Sequence, residues 1–421
     1  MADALETGQF VSTTTSQSSR TYYEKLLLDT IRMKSMLVNF CRYKEDFSAK
    51  ATGKMTFTEV LDAAPNWDAL PESSVWLKGG HLDSRQVSLE LEIHGDVLKF
   101  NDYADQVSFW NNGDLRGLVR GKLGQLVTDE MDLLALQAFL DHPSPYYTNA
   151  TGTRASIGAA DILSPTEIED IVVDLEESNI PGVFSPEDGA PVGVVCVTTP
   201  RVIRDIRHNA DSPWMEVNAY EQTGRIFRNE VGTWNGVRFV KSNRLHLRNY
   251  GDVLAFSTLD GAVSAGDGAT AVDGVYTVGD SSATNYVTVA DGSVFAVGDQ
   301  VTIHDPAVSG GAPTEDDGGQ ETRRITAIDV NKLSFDTPLL KDHDSGDDVT
   351  NGRDIHSSLF LGGPSVVLGV GERPNIRILP KIDDLQLINR YSWRGFLKFQ
   401  MFRPEYSRLI YSSGGALNLN S

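Results

Sequence analysis

Cysteine is nearly absent from this chain of 421 residues: Cys41 and Cys196 are the only two, and they form no Cys-x-x-Cys pair. A disulfide framework is thereby excluded, and two reduced, packed thiols are expected. No run approaches the ~20 consecutive apolar residues that a membrane helix needs. The first thirty residues hold no basic stretch followed by an apolar core, so no secretory leader is expected either. Positive charge is scarce. With 37 Lys and Arg against 58 Asp and Glu, the formal charge is −21, a field that does not draw in nucleic acid as a whole. Catalytic signatures are missing too: there is no Gly-x-Ser-x-Gly, no His-Glu-x-x-His and no Gly-x-Gly-x-x-Gly. "GLVRGKL" at 117–123 has too few residues between its glycines for a phosphate loop, and Leu123 stands where a Ser or Thr would meet magnesium. "DHDSGDD" at 342–348 lacks the later Glu of a calcium loop, which leaves a solvated acidic loop or a loose calcium site. The expectation is a protein that is not an enzyme and carries no cofactor.

The chain does hold apolar residues in quantity (40%), enough for more than one core. Residues 1–20 are Ser/Thr-rich and aperiodic, the pattern of a flexible or partner-ordered arm, and 22–42 read as a helix. Lys54–Thr58 alternates polar and apolar residues. So do Val87, Leu89, Leu91 and Ile93 with the polar residues between them, giving a two-stranded excursion with a turn-rich middle that contains Trp67 and Trp76. Residues 113–141 form the longest helical pattern. Leu115, Leu118, Val119, Leu126, Leu133 and Leu140 lie near one stripe, and Gly117, Gly121 and Gly124 suggest close packing by another backbone. Ser164-Pro165-Thr166-Glu167 is a capping box opening a second helix. "APVGVVCVTT" (190–199) is a continuously apolar strand, and "PRVIRDIRHN" (200–209) a short helix after it. "RNEVGTWNGVRFVKS" (228–242) has Asn235-Gly236 between two strand patterns, a strong hairpin signal.

Composition shifts at 252–356. That stretch carries 19 acids and 5 bases and 13 of the 38 glycines, with short β patterns between Gly/Asp turns. It reads as a small all-β domain inserted between host strands. Near the end, Arg390, Arg394, Lys398, Arg403 and Arg408 stand against one acid, Glu405. They are either outward residues of a strand pair or a surface meeting nucleic acid non-specifically.

The order of arm, helix, excursion, long helix, α/β domain and closing strands resembles the tailed-phage major capsid protein, a fold shared with encapsulins and herpesvirus shells. "SLELEIHGDVLKFND" (88–102) resembles the return strand of an extended loop, and "DLRGLVRGKLGQLVTDEMDLLALQAFL" (114–140) a spine helix. Glu230, Gly232, Gly236, Arg238 and Val240, with "LFLGGPSVVLGVG" and "WRGFLKF", resemble the branch named for the major capsid protein of phage N4.

The resemblance implies an α+β fold in six parts. These are an arm (1–50), an extended loop (51–103), a peripheral domain with the spine helix (104–160) and an axial-type domain (161–251), then the inserted domain (252–356) and return strands (357–421). It implies homo-oligomerisation into hexamers and pentamers of an icosahedral shell around double-stranded DNA, assembled in the host cytoplasm with a scaffolding protein and a portal, and no membrane. Phe57, Trp67, Trp76, Leu89, Leu91 and Ile93 are expected to bury against neighbours, the alternative being that the loop packs on its own domain. Glu230, Gly232, Trp234, Asn235, Gly236 and Arg238 are expected to be hairpin architecture or a direct intersubunit contact. The basic strip is the part expected nearest the genome. The stretch at 252–356 departs from the family's pattern, so its role is not carried over; it is expected to project outward, to bind a decoration protein, stabilise a neighbour or only tile the surface. Two other readings stay open: an encapsulin-like compartment, and a non-assembling adhesin- or carbohydrate-binding protein built around 252–356.

Overall fold

The structure is a computed structural model that describes residues 36–45, 53–60, 83–101, 115–183, 193–209, 215–216, 229–263, 286–305, 312–313, 320–337, 339, 341–380 and 388–415. In chain order the elements are β1 (Arg42–Glu45), β2 (Lys54–Val60), β3 (Ser84–Glu90), β4 (Glu92–Asn101), helix α1 (Leu115–Leu140) and β5 (Tyr146–Tyr147). Helix α2 (Pro165–Glu177), β6 (Val194–Thr198), helix α3 (Pro200–Asn209), β7 (Met215–Glu216), β8 (Glu230–Trp234), β9 (Val237–Lys241) and β10 (His246–Leu247) follow. Next come β11 (Val253–Thr258), β12 (Tyr286–Thr288), β13 (Gln300–His304), β14 (Glu321–Asp329), β15 (Lys332–Phe335) and β16 (Asp348–Gly352). The chain closes with β17 (Ile355–Leu361), β18 (Val366–Leu379), β19 (Ile388–Met401) and β20 (Ser407–Ser413). They form two units, Met1–His142 with Pro364–Pro404, and Pro143–Gly363 with Glu405–Ser421. This is a strand-rich α+β architecture. Among the described residues no helix is long and apolar enough to cross a membrane.

The first unit is a four-stranded sheet, β1-β18-β19-β4, with α1 laid against β19 and β18. The two faces of the sheet do different work. On β4, His94 points toward α1, 3.9 Å from Glu130. Ile93, one residue earlier, therefore points to the opposite face, in register with Phe396 of β19. There the base of the β2–β3 hairpin buries Met55, Phe57, Leu89 and Leu91 against Val367 and Phe402, with Phe396 beside them. "VVLGVG" serves this contact. A Cβ on Gly371 would meet Leu91 Cδ1 and Phe396 Cδ1 at 2.9 Å, and one on Gly369 would meet the Met55 sulfur at 3.1 Å.

Three sequence expectations change here. The alternation from Val87 to Ile93 belongs to two strands, because β3 ends at Glu90 and the Leu91 N–H closes the hairpin on the Gly53 carbonyl at 2.9 Å. Residues 22–35 of the helix expected over 22–42 lie outside the described residues, and its described end is not helical: Val38–Phe40 is a single 3-10 turn and Arg42–Glu45 pairs in parallel with Val367–Val370. The buried stripe of α1 is Leu123, Val127, Met131, Ala135 and Phe139, a phase different from the one expected, and nothing lies within 4 Å of where a Cβ on Gly121 or Gly124 would be.

In the second unit the main sheet runs β5-β20-β17-β6-β9-β8-β7, with β10 paired to β17. The apolar strand β6 is buried at all five residues. Helices α2 and α3 cover it through Ile168, Ile171, Leu175, Val202 and Ile206. Helix α2 starts where the capping box requires: Ser164 Oγ accepts the Glu167 N–H at 3.3 Å, and Glu167 Oε2 accepts the Ser164 N–H at 2.9 Å. Both cysteines are free, and burial pushes the Cys196 thiol up.

Between β10 and β17 the chain makes a second sheet, β11-β16-β13-β14-β15-β12. Its two outer strands meet. The Asp260 N–H donates to the Thr288 carbonyl and the Ala290 N–H to the Thr258 carbonyl, both at 2.9 Å, so the sheet closes into a six-stranded barrel. Its interior is filled by a core of its own, including Val287, Val289, Val301, Ile303, Ile325, Leu333 and Val349. The chain enters and leaves side by side, with the Gly251 N–H on the Arg353 carbonyl and the Arg353 N–H on the Asp252 carbonyl, each 2.9 Å. Val253–Phe256 pairs with β16 in the barrel, its register partners being Thr350–Gly352.

Candidate assembly surfaces

Apolar side chains left in water on an otherwise packed fold are the features to locate, since burying one fully is worth about 1.5–3 kcal/mol. Of the six residues expected to need a neighbour, Phe57, Leu89 and Leu91 are covered at home. All three are under 10% exposed, in the core made with β18 and β19. The expectation that the loop could not bury them fails because the host sheet presents glycines at the contact. Ile93 does stand in solvent, 72% exposed on the edge strand β4, with Val97 on the same face and Val60 at the end of β2 also exposed. Trp67 and Trp76 lie outside the described residues.

Helix α1 adds a surface that sequence reasoning placed inside. Leu126 and Leu133 are exposed, 38% and 52%, one heptad apart on the side away from Val127 and Met131. The signal was present in the sequence: a helix with two apolar stripes, one at spacings of four and one at spacings of seven, has more greasy faces than one sheet can cover.

The 230–241 hairpin packs into the core of its own unit. Asn235 and Gly236 have φ of +46° and +77°, as a two-residue type I′ turn requires. Trp234 and Phe239 are 3% and 0% exposed and sit in the core under α2 and α3. Glu230 is a buried carboxylate 3.6 Å from Arg238 across the strand pair, and a register shift falls between Glu230 and Gly232.

The basic strip does not survive folding as an unpaired line. Arg394 lies 3.2 Å from Glu372, Lys398 2.5 Å from Glu92, and Arg403 Nε 2.7 Å from Glu59. Arg408 lies 2.5 Å from Asp174, and Arg390 donates to the Pro380 carbonyl. Counting acids within 390–408 missed these carboxylates because strand pairing (Glu372, Glu92) and packing of the hairpin and of α2 (Glu59, Asp174) bring them from distant sequence. Arg403 and Arg408 also fall in different units.

One buried polar cluster lies beneath the tail of the second unit. The His356 ring stacks on His246 at 4.7 Å, and His246 Nε2 is 3.0 Å from Asp354 Oδ2. Burial, then the neighbouring His246 and Arg201, push the His356 imidazole down to about 4. Over it, Gly415 donates its N–H to Asp205 at 2.7 Å and accepts from Arg204 at 2.7 Å. At 342–348, His343 is buried between Glu321 and Asp347, each 3.5 Å away. Among the described residues no group of three or more His, Cys, Asp or Glu is placed to hold a metal ion.

No protein-family model matches the chain, and no curated protein matches it. The sheet with its crossing long helix, the hairpin packed on the opposite face and the separate α/β unit together are a phage capsid fold. The capsid of Ralstonia phage GP4 superposes with a TM-score of 0.56 at 12% identity, over 90% of this chain and 89% of that one. Looser likenesses are the acidic stable capsid of Helicobacter pylori bacteriophage KHP30 (TM-score 0.48, 8% identity, 90% and 91% covered) and the capsid of cyanophage P-SCSP1u (0.47, 9%, 90% and 88%).

Proposed function

We propose that the chain is a major capsid protein: a subunit that self-associates into hexamers and pentamers of the icosahedral shell of a tailed phage, enclosing double-stranded DNA. The observation that carries this reading is the likeness to the phage GP4 capsid over nine-tenths of both chains. The exposed residues supply a physical reason for association. Ile93 and Val97 on an edge strand, and Leu126 and Leu133 on α1, are apolar area that the first unit leaves wet. A neighbour that covers them gains from apolar burial at about 25 cal/mol per Å², less the cost of ordering. One chain meeting several environments in a shell fits heterologous, ring-closing contacts. The segment order and the Glu230–Val240 signature support the branch named for phage N4.

In this reading the net charge of −21 keeps the shell from gripping DNA tightly, and the cations at 394–408 are matched by carboxylates. Contact with packaged DNA is then weak and non-specific. A scaffolding protein and a portal act during assembly in the host cytoplasm, and the barrel at 253–352 is the inserted domain, exposed to outside partners such as a decoration protein.

The test is expression of the chain with and without a candidate scaffolding protein, followed by sedimentation and negative-stain imaging. Closed shells of uniform size are expected. A compact monomer under every condition ends the reading, and shells that fill with protein cargo and never take up DNA replace it with a compartment.

A further inference from the structure

One turn of the closed barrel holds a residue in an uncommon conformation: its backbone serves the barrel, since Asn331 accepts the Val289 N–H at 2.9 Å and donates to the Ala290 carbonyl at 3.1 Å, but the side chain of Val330 does not. Asp329 and Lys332 pair across a two-residue turn, Val330-Asn331, and Val330 sits at φ +55°. That is left-handed backbone, which a β-branched residue avoids and which Gly or Asn would adopt at low cost. The Val330 side chain is also 81% exposed, the highest value among the large apolar residues described. The connection between β12 and β13 lies against this turn: the Gly292 N–H donates to Asn331 Oδ1 at 3.2 Å, and a Cβ on Gly292 would meet the Val330 carbonyl oxygen at 2.3 Å. That connection exposes Val294 and Val297, 42% and 63%, while Phe295 between them is buried. Three valines therefore stand in water on two adjoining connections. Asp291 and Asp299 bond within that connection, Asp329 flanks the turn and Asp260 donates to the Thr288 carbonyl, four acids against Lys332, bent over the Tyr286 ring at 3.6 Å, and Arg324, whose guanidinium stands beside Gly298.

We infer that this end of the barrel is a docking surface for a protein whose contact face is an apolar centre ringed by lysines and arginines. Charge decides the occupant. Residues 252–356 carry 19 acids against 5 bases, so a second barrel repels this end, while a basic-rimmed face is attracted and its apolar centre covers Val330, Val294 and Val297. The bonds of Asn331 account for the turn's backbone, while an exposed valine where Asn or Gly would serve points to a contact made by that side chain. The inference does not depend on the chain forming a shell.

The experiment uses the full chain, before assembly, and a fluorescent model peptide of alternating leucine and lysine as probe, read by anisotropy. The expected result is saturable binding that Val330→Asn weakens about tenfold, while Asp291→Asn and Asp329→Asn each weaken it less. Binding that falls with the aspartate variants and is unchanged by Val330→Asn overturns the inference, because charge alone then accounts for it. So does an absence of binding. A second reading is thermal unfolding. Val330→Asn is expected to raise the midpoint of the barrel by relieving the turn, and a lowered midpoint overturns the inference, since the valine would then be holding the barrel itself.

Discussion

The carboxylate of Asp132, buried on α1, accepts the backbone N–H of Leu37 at 2.9 Å and that of Met36 at 3.2 Å. Residues some 95 positions apart in sequence are thereby pinned together, and the amino-terminal segment joins the fold at the middle of the long helix. Asp132→Ala leaves two N–H groups without that acceptor and is expected to cost about 1–3 kcal/mol. Asp132→Asn, which keeps an oxygen there, is expected to cost less. Chemical denaturation of the two variants checks the order, and equal losses would mean that the charge and not the acceptor matters.

Gly371→Ala drives a methyl group into Leu91 and Phe396, which stand 2.9 Å from it. Overpacking of this kind costs about 1–3 kcal/mol. Because the contact joins β18 to the hairpin base, proteolysis within 53–91 should speed up more than the global midpoint falls. Unchanged cleavage would show that the sheet moves aside without releasing the hairpin.

Leu126→Ser together with Leu133→Ser should separate stability from assembly. Both side chains are exposed, so the two substitutions together should shift the monomer by no more than about 1 kcal/mol. Sedimentation should nevertheless show loss of large species. Shells that form normally from the double variant would remove α1 from the list of contact surfaces.

Protonation of His356 gives a pH dependence with a definite sign. Its folded pKa of about 4 lies below the ordinary 6.5, so the folded state holds the ring neutral. As pH falls from 6.5 towards 4 the unfolded chain takes up a proton that the folded chain refuses, and stability drops by about 3 kcal/mol before levelling. The groups facing the ring are His246, Arg201, Asp354 and Asp205. Asp354, whose pKa is lowered from an ordinary 3.8 by its bond with His246, contributes stability that is lost only below that window. His356→Leu should flatten the thermal midpoint between about pH 6.5 and 4.5, and an unaltered slope would place the titration elsewhere.

Local chemistry was legible in the sequence and pairing at a distance was not. The Ser164 capping box, the Asn235-Gly236 turn and the buried strand at 194–198 each follow from a few neighbouring residues, and each stands where its residues require. The phase of α1 was read wrongly because the stripe at 126, 133 and 140 is as apolar as the one at 123, 127 and 131. Only the sheet beneath decides which is covered. The hairpin residues Phe57, Leu89 and Leu91 looked homeless because their cover comes from Val367 and Phe402, some 280 to 345 positions later. The cations at 394–408 looked unpaired for the same reason: Glu59, Glu92 and Asp174 reach them only through the fold.

The barrel's entrance and exit share a pair of hydrogen bonds, and Gly251 and Gly352 let the two passages lie close: a Cβ on Gly352 would meet the Asn249 carbonyl oxygen at 2.7 Å. To the host sheet, a hundred residues and a tight loop therefore present the same two ends. This doorway can carry a foreign fold of any length whose termini lie a few ångströms apart, which makes it the natural place to graft cargo onto the molecule without disturbing what lies beneath.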